Sequence, residues 1–291
     1  VAIGHDALSL NTADSNVAVG ANALKTNSTG TRNVSVGQSA GLVITTSSDN
    51  VAVGYYALKS NQTTGSSVAI GRSALEAQTT GANSTAIGTY ALTSNTTAEH
   101  NIAVGRSALE ANTTGTRNIA IGGFALDGQD TENDNVAIGY EAMTTDNAGG
   151  SANVAVGNYA LDAQTSGDNN VAVGHNAGTT QTSASQNTLI GRQAGGSILE
   201  GESNTAIGYL ALVDTAATEN GRWNTAVGAF SRVVSDGEGA IVLGYNVSGT
   251  EGYTTLGKDG DDIRAPHGNV TWATVSDERV KKDITDSTAG L

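Results

Sequence analysis

Apolar positions return along this chain on a short, nearly fixed beat. A five-residue phrase such as "NVAVG" (Asn50 to Gly54) closes on a glycine and then starts again. The closing glycines run from Gly4, Gly20, Gly37 and Gly54 to Gly208, Gly228 and Gly244. Nearly every step is 17 residues, with an occasional 16 or 18 and one of 20 before Gly228. A full unit reads "NVAVGYYALKSNQTTGS" (Asn50 to Ser66): a Val-Ala-Val run, glycine, an Ala-Leu pair, then a polar Asn/Thr/Gly turn. β-Branched residues alternating at period two, with glycine in every unit, favour strand over helix. Two short strands and two turns per unit describe one coil of a parallel β-solenoid. About 15 coils stacked roughly 4.8 Å apart would make a rod on the order of 70 Å long.

Each column of the repeat carries its own expectation. The Val or Ile before the glycine (Val19, Val53, Ile70, Ile87, Ile121, Ile207, with Leu243 a late exception) is expected to point into the coil. By strand alternation the residue two earlier, such as Thr85, Thr188 or Thr205, shares that face. The alanine between them (Ala52, Ala69, Ala103) would then face outward, where its constant small size implies close approach by another surface. A second apolar column pairs Ala57, Ala74 and Ala91 with Leu58, Leu75 and Leu92. Asn50, Asn101, Asn118, Asn170 and Asn187 open their units and suit a ladder of amides that bonds turn backbone between coils. Apolar side chains on both strand faces have a consequence. A coil this thin encloses little core, so one face needs cover from a sister chain, and a homo-oligomer about a common axis is expected.

Composition narrows the function classes. The 291 residues include 38 glycines, one proline (Pro266) and no cysteine, and aromatics are 4%. The net charge of −14 disfavours nucleic acid as a partner. Absence of cysteine removes disulfides and thiolate metal sites. No apolar run reaches membrane-spanning length, so no membrane insertion is expected. Residues 1–20 show no leader pattern, and opening in mid-phrase with "VAIGHDAL" is expected of a piece of a longer protein.

Candidate chemistry is sparse. "KDGDD" (Lys258 to Asp262) crowds carboxylates but lacks the spaced ligands and closing glutamate of a calcium loop, so it reads as a solvated turn. His5, His100, His175 and His267 have no metal-ligand spacing, and no glycine-rich stretch leads into the Lys-Ser/Thr of a phosphate loop. Neither a metal nor a cofactor is expected. The two positions after each glycine are more informative. They hold Tyr55, Tyr56, Arg72, Tyr90, Arg106, Phe124, Tyr140, Tyr159, His175, Arg192, Tyr209 and Phe230, which stacking would align as a stripe. Tyr55, Tyr56, Arg72, Tyr90, Arg106, Tyr140, Tyr159 and Tyr209 are the candidates for contact with a sugar or surface receptor. The competing reading is that such residues shield the corner or fill a groove between chains.

The "NVAIG"-type phrase resembles the head of trimeric autotransporter adhesins, in which three chains form a left-handed parallel β-roll. The fuller "NTAIGYLAL" (Asn204 to Leu212) and "NVAVGNYALDAQTSG" (Asn153 to Gly167) resemble the repeats that precede the chaperone domain of phage tail-fibre proteins. Rhythm fails after Gly244, where longer strands with turns at "SGTEG", "KDGDD" and "PHGN" are expected. The segment "SDERVKKDI" (Ser276 to Ile284) then resembles the first motif of the self-cleaving intramolecular chaperone that ends many phage fibres. That resemblance implies Ser276 as nucleophile and Lys281 as its base, with Asp277 and Arg279 at the motif's other polar positions. A desolvated lysine of lowered pKa can take a serine proton. Read without the resemblance, Ser276 followed by Asp277 and Glu278 is an ordinary helix start.

The sequence therefore predicts an all-β chain, a parallel β-solenoid (β-roll) of about 17-residue coils in an intertwined or axially packed homotrimer. Residues 1–244 would be the shaft, 245–275 an irregular β segment, and 276–291 the incomplete beginning of the chaperone domain. The expected function is a structural and adhesive tail-fibre shaft in a virion, attaching to a host-surface receptor or glycan. The head of a bacterial trimeric adhesin on the cell surface is the alternative, and a glycan-degrading tail spike the third reading. No enzymatic turnover is expected beyond one self-cleavage.

Overall fold

The computed structural model describes residues 1–268 and 273–274, except 64, 146–149, 214–219 and 235–236. Among these residues there is no helix, and the chain is an all-β parallel solenoid of about 14 turns. Each regular coil contributes one three-residue strand, from Val17–Val19 and Val34–Val36 through Val51–Val53 to Thr225–Val227. Successive strands pair parallel and in register, so that Val51 lies opposite Val68, Ala52 opposite Ala69 and Val53 opposite Ile70.

Two strands per coil were expected and one is found. The Ala-Leu pair lies in a turn, because alternate residues there adopt left-handed backbone: φ is 58° at Tyr56 and 49° at Leu58. Left-handed backbone costs an L-residue about 1–2 kcal/mol. Interchain-style bonding between coils offsets it: the Tyr56 N–H donates to the Gln38 carbonyl at 3.2 Å and the Leu58 N–H to the Ala74 carbonyl at 2.9 Å. The segment is thus laddered to both neighbouring coils without strand geometry.

Inside and outside are reversed from the expectation. The strand alanines (Ala52, Ala69, Ala86, Ala103) are fully buried within the coil, whereas Ile70, Ile87, Ile121 and Ile207 keep 37–39% of their surface exposed. The interior already holds the second column, Ala57 with Leu58 and Ala74 with Leu75, all fully buried. A strand facing those leucines across so thin a coil has space for a methyl group and not for a branched side chain. Alternation was read correctly; its sign was not.

Exceptions to the columns keep the core volume constant. Glycine replaces the inward leucine at Gly178 and Gly195, and the strand of the intervening coil carries Leu189 in place of alanine. A Cβ built on either glycine would lie under 3.0 Å from a Leu189 methyl, so one leucine fills two vacated places. At Gly41 the missing side chain is replaced by Ile44, which stands where neighbouring coils carry a buried amide.

The parallel stack continues past Gly244. Ile241–Tyr245 pairs in register with Tyr253–Lys258, Ile241 opposite Thr254, so this coil is shorter than the rest. Tyr253–Lys258 then folds back antiparallel onto Asp261–Pro266 through Asp259 and Gly260, both at positive φ (51° and 89°). Paired left-handed residues are what a two-residue hairpin turn needs. The longer strands expected within 245–275 are therefore present, and they cap the column of the solenoid with a hairpin.

Candidate binding surfaces of the rod

Four columns give the rod its stiffness and its outer chemistry. The first is the buried asparagine ladder. The Asn118 N–H donates to Asn101 Oδ1 at 2.8 Å, and Asn118 Oδ1 accepts the Asn135 N–H at 2.9 Å. The Asn118 Nδ2 donates to the Glu132 carbonyl at 2.7 Å. The pattern repeats through Asn153, Asn170, Asn187, Asn204 and Asn224. Sequence reading anticipated this ladder. It missed a second buried amide column seven residues after each glycine, including Asn61, Gln78, Asn95, Asn112 and Gln181. Those amides were read as part of the polar turn; their fixed offset from the glycine was the available signal.

The second column is the outer face of the parallel sheet. Each strand presents two β-branched residues outward, such as Val68 and Ile70 or Ile119 and Ile121. In register, they form a two-row band down the rod, apolar except where Thr85, Thr188, Thr205 and Thr225 enter the first row. Such a band over about 14 coils is on the order of 1,000 Å², larger than the apolar patches of typical monomers and of interface scale.

Aromatic and cationic side chains after each glycine form the third. Tyr55 and Tyr56 stack at 3.9 Å, with Lys59 Nζ 4.3 Å above the Tyr56 ring. Arg72 lies over Tyr90 at 5.4 Å and Arg106 over Phe124 at 5.2 Å. Edge-to-face contacts then link Phe124 to Tyr140 (6.1 Å), Tyr140 to Tyr159 (5.7 Å) and Tyr159 to His175 (6.0 Å). Arg192 over Tyr209 (5.5 Å) starts another run through Phe230 to Tyr245. The eight candidate residues of the stripe thus fall into four runs of contacts, three of them joined between neighbouring coils, and the runs succeed one another as a ridge along the rod. Tyr245 was missed because the repeat was ended at Gly244; the same rule one coil further finds it. The Tyr55 hydroxyl is raised above its ordinary pKa by its bond with Tyr56, and that of Tyr140 by its bond with Glu141, each further raised by burial. The rings spend much of their surface on each other, which adds roughly 0.5–1.5 kcal/mol per contact to the stacking of coils.

A fourth, polar column runs along the corner just ahead of the asparagine ladder. Arg32 pairs bidentately with Asp49 one coil away (2.6 and 2.8 Å), and Arg117 pairs with Asp134 likewise. These bonds hold the Asp49 and Asp134 carboxyls below the ordinary carboxylate range. A small open groove lined by Glu99, His100, Thr116 and Arg117 lies on the same corner. Sequence reading passed over this column, and with it Trp223.

Among the described residues no cluster of His, Asp and Glu could hold a metal ion, and no helix is long and apolar enough to cross a membrane. Ser276 and Lys281, with Asp277 and Arg279, lie outside the described residues. Fold and surface define a repeat protein of the parallel β-solenoid class. No protein-family model matches the chain, and no curated protein matches its sequence.

Proposed function

We propose that the chain is the shaft of a bacteriophage tail fibre, assembled as a homotrimer and attaching the virion to a receptor or glycan on its host. The observation that carries this reading is the outward sheet face, where an unbroken row of Val and Ile from Ile3 to Val227 runs beside a second row interrupted by Thr85, Thr188, Thr205 and Thr225, on a rod whose own core is complete without it. Sister rods laid parallel about one axis would bring each band against its copies, coil against like coil. The number three and the virion setting rest on the resemblance of the repeats and of "SDERVKKDI" to phage fibre proteins. The ridge from Tyr55 to Tyr245 is the surface offered to the host.

Antibodies against residues 1–244 test the assignment on virions and on bacterial cells. Labelling of tail fibres, with blocked adsorption, is the expected result. Labelling of a bacterial surface without virions would favour the adhesin head instead. Processing gives a second test: full-length product with Ser276→Ala or Lys281→Ala is expected to stay uncut. Efficient cleavage in both variants would reject the serine–lysine pair.

A further inference from the structure

The corner column that carries Arg32, Asp49, His100, Arg117 and Asp134 is exposed at each of these positions, with φ between 58° and 63°. Charged side chains there mark a face that water keeps. Trp223 occupies the same column at φ 58° and is 59% exposed. Its place is fixed by the ladder: the Asn224 N–H donates to Asn204 Oδ1 and the Ala240 N–H to Asn224 Oδ1. The Trp223 N–H donates to the Glu202 carbonyl, and the Gly239 N–H to the Arg222 carbonyl. Ser203 and Gly239 are thus its neighbours one coil to either side, both small. A Cβ built on Gly239 meets nothing within 4 Å, so the space on that flank is open. The adjoining column carries Glu202, Arg222 and Glu238 in three successive coils, all exposed.

Apart from Leu10 and Val234, the large exposed apolar side chains elsewhere along the coils fall into the outward band or the ridge. Trp223 belongs to neither, and among the described residues no ring or cation stacks on it. An exposed indole between Ser203 and Gly239, with two acids and an arginine in the adjoining column, has the parts of a carbohydrate site. The ring face takes the C–H groups of a sugar, carboxylates accept from its hydroxyls, and guanidinium donates to them. The coil spacing of about 4.8 Å is also close to the breadth of a pyranose ring. In the column adjoining Trp223 two acids stand against one arginine, and the chain carries −14 overall, which disfavours uronic or sialic acids.

We propose that Trp223, with Glu202, Arg222 and Glu238, forms a binding site for a neutral hexopyranose unit of a glycan. This goes beyond the tail-fibre reading by adding a sugar contact at the corner column to the surface that the ridge offers. Sugar binding at the corner does not depend on where the rod is used.

The test uses the full chain with Trp272→Phe, which leaves Trp223 as the one tryptophan. Tryptophan emission is followed during titration with neutral oligosaccharides of glucose, galactose, mannose and N-acetylhexosamine, and with polygalacturonate. Saturable change with at least one neutral oligosaccharide, and none with polygalacturonate, is expected. By calorimetry, Trp223→Ala should weaken that sugar at least about ten-fold, with Trp223→Phe recovering part and thermal melting unchanged. No response to any neutral sugar, or equal affinity in Trp223→Ala, overturns the site. Loss of binding in Tyr140→Ala or Tyr209→Ala alone would move the sugar to the ridge, against this site but not against the tail-fibre reading. Sugar binding lost with Trp223→Ala, in a protein absent from virions, would do the reverse.

Discussion

At Gly37 the stack leaves no room for one more carbon. Its φ is 135°, and a Cβ there would sit 2.6 Å from the carbonyl oxygen of Gly54 in the next coil. Gly37→Ala should therefore cost about 2 kcal/mol or more, from backbone strain and overlap together. Asn118 is as exacting for a different reason. Asn118→Leu would strand the Asn135 N–H and the Glu132 carbonyl in the interior, an expected loss of about 1–3 kcal/mol by thermal or urea melting. Replacing exposed Asn169 by glycine, which tolerates the left-handed φ of 59° there, should stay within about 0.5 kcal/mol. Leu189→Ala should be costlier still, about 2–5 kcal/mol, because Gly178 and Gly195 have nothing with which to refill the space. Glycines and ladder asparagines were legible in the sequence because each does the same local job in every coil. Trp223 was not, since a single departure in one column carries no periodic signal.

Strands and turns are decided by what the coil can enclose. Period-two alternation located the strand of every regular coil, yet apolar residues on both faces left the inward face undetermined. A one-residue change of sense exchanges the faces without altering the pattern. The Ala-Leu pair looked like a second strand because hydrophobicity does not record the left-handed backbone at Leu58 and its equivalents. Between elements, acids respond to pH in opposite senses. Burial raises the Asp162 carboxyl, against the Thr179 hydroxyl that donates to it at 2.6 Å. The folded chain then binds that proton more readily than the unfolded one, so this group favours folding as pH falls through its folded pKa. Asp162→Asn should raise the melting temperature at neutral pH, and the difference should close in acid. Asp49 and Asp134 act oppositely: their pairing with arginine contributes above the ordinary carboxylate range and is lost as pH falls through their depressed values.

Over the whole molecule, a long rod carrying −14 repels its copies at a distance, and only a continuous apolar band would hold them together at contact. Apolar residues on both strand faces were legible in the sequence, and the proposal of a partner rests on them. Which residues a partner would meet was not: the alanines complete the single chain, which leaves the outward Val/Ile rows for the proposed contact. The most direct measurement is sedimentation equilibrium of residues 1–268 beside the same rod with Ile121→Glu and Ile138→Glu. Sister rods joined by the outward band predict a trimer for the parent, and dissociation to folded monomers for the variant. A parent that sediments as a monomer at every concentration, or a variant that remains trimeric, would contradict it.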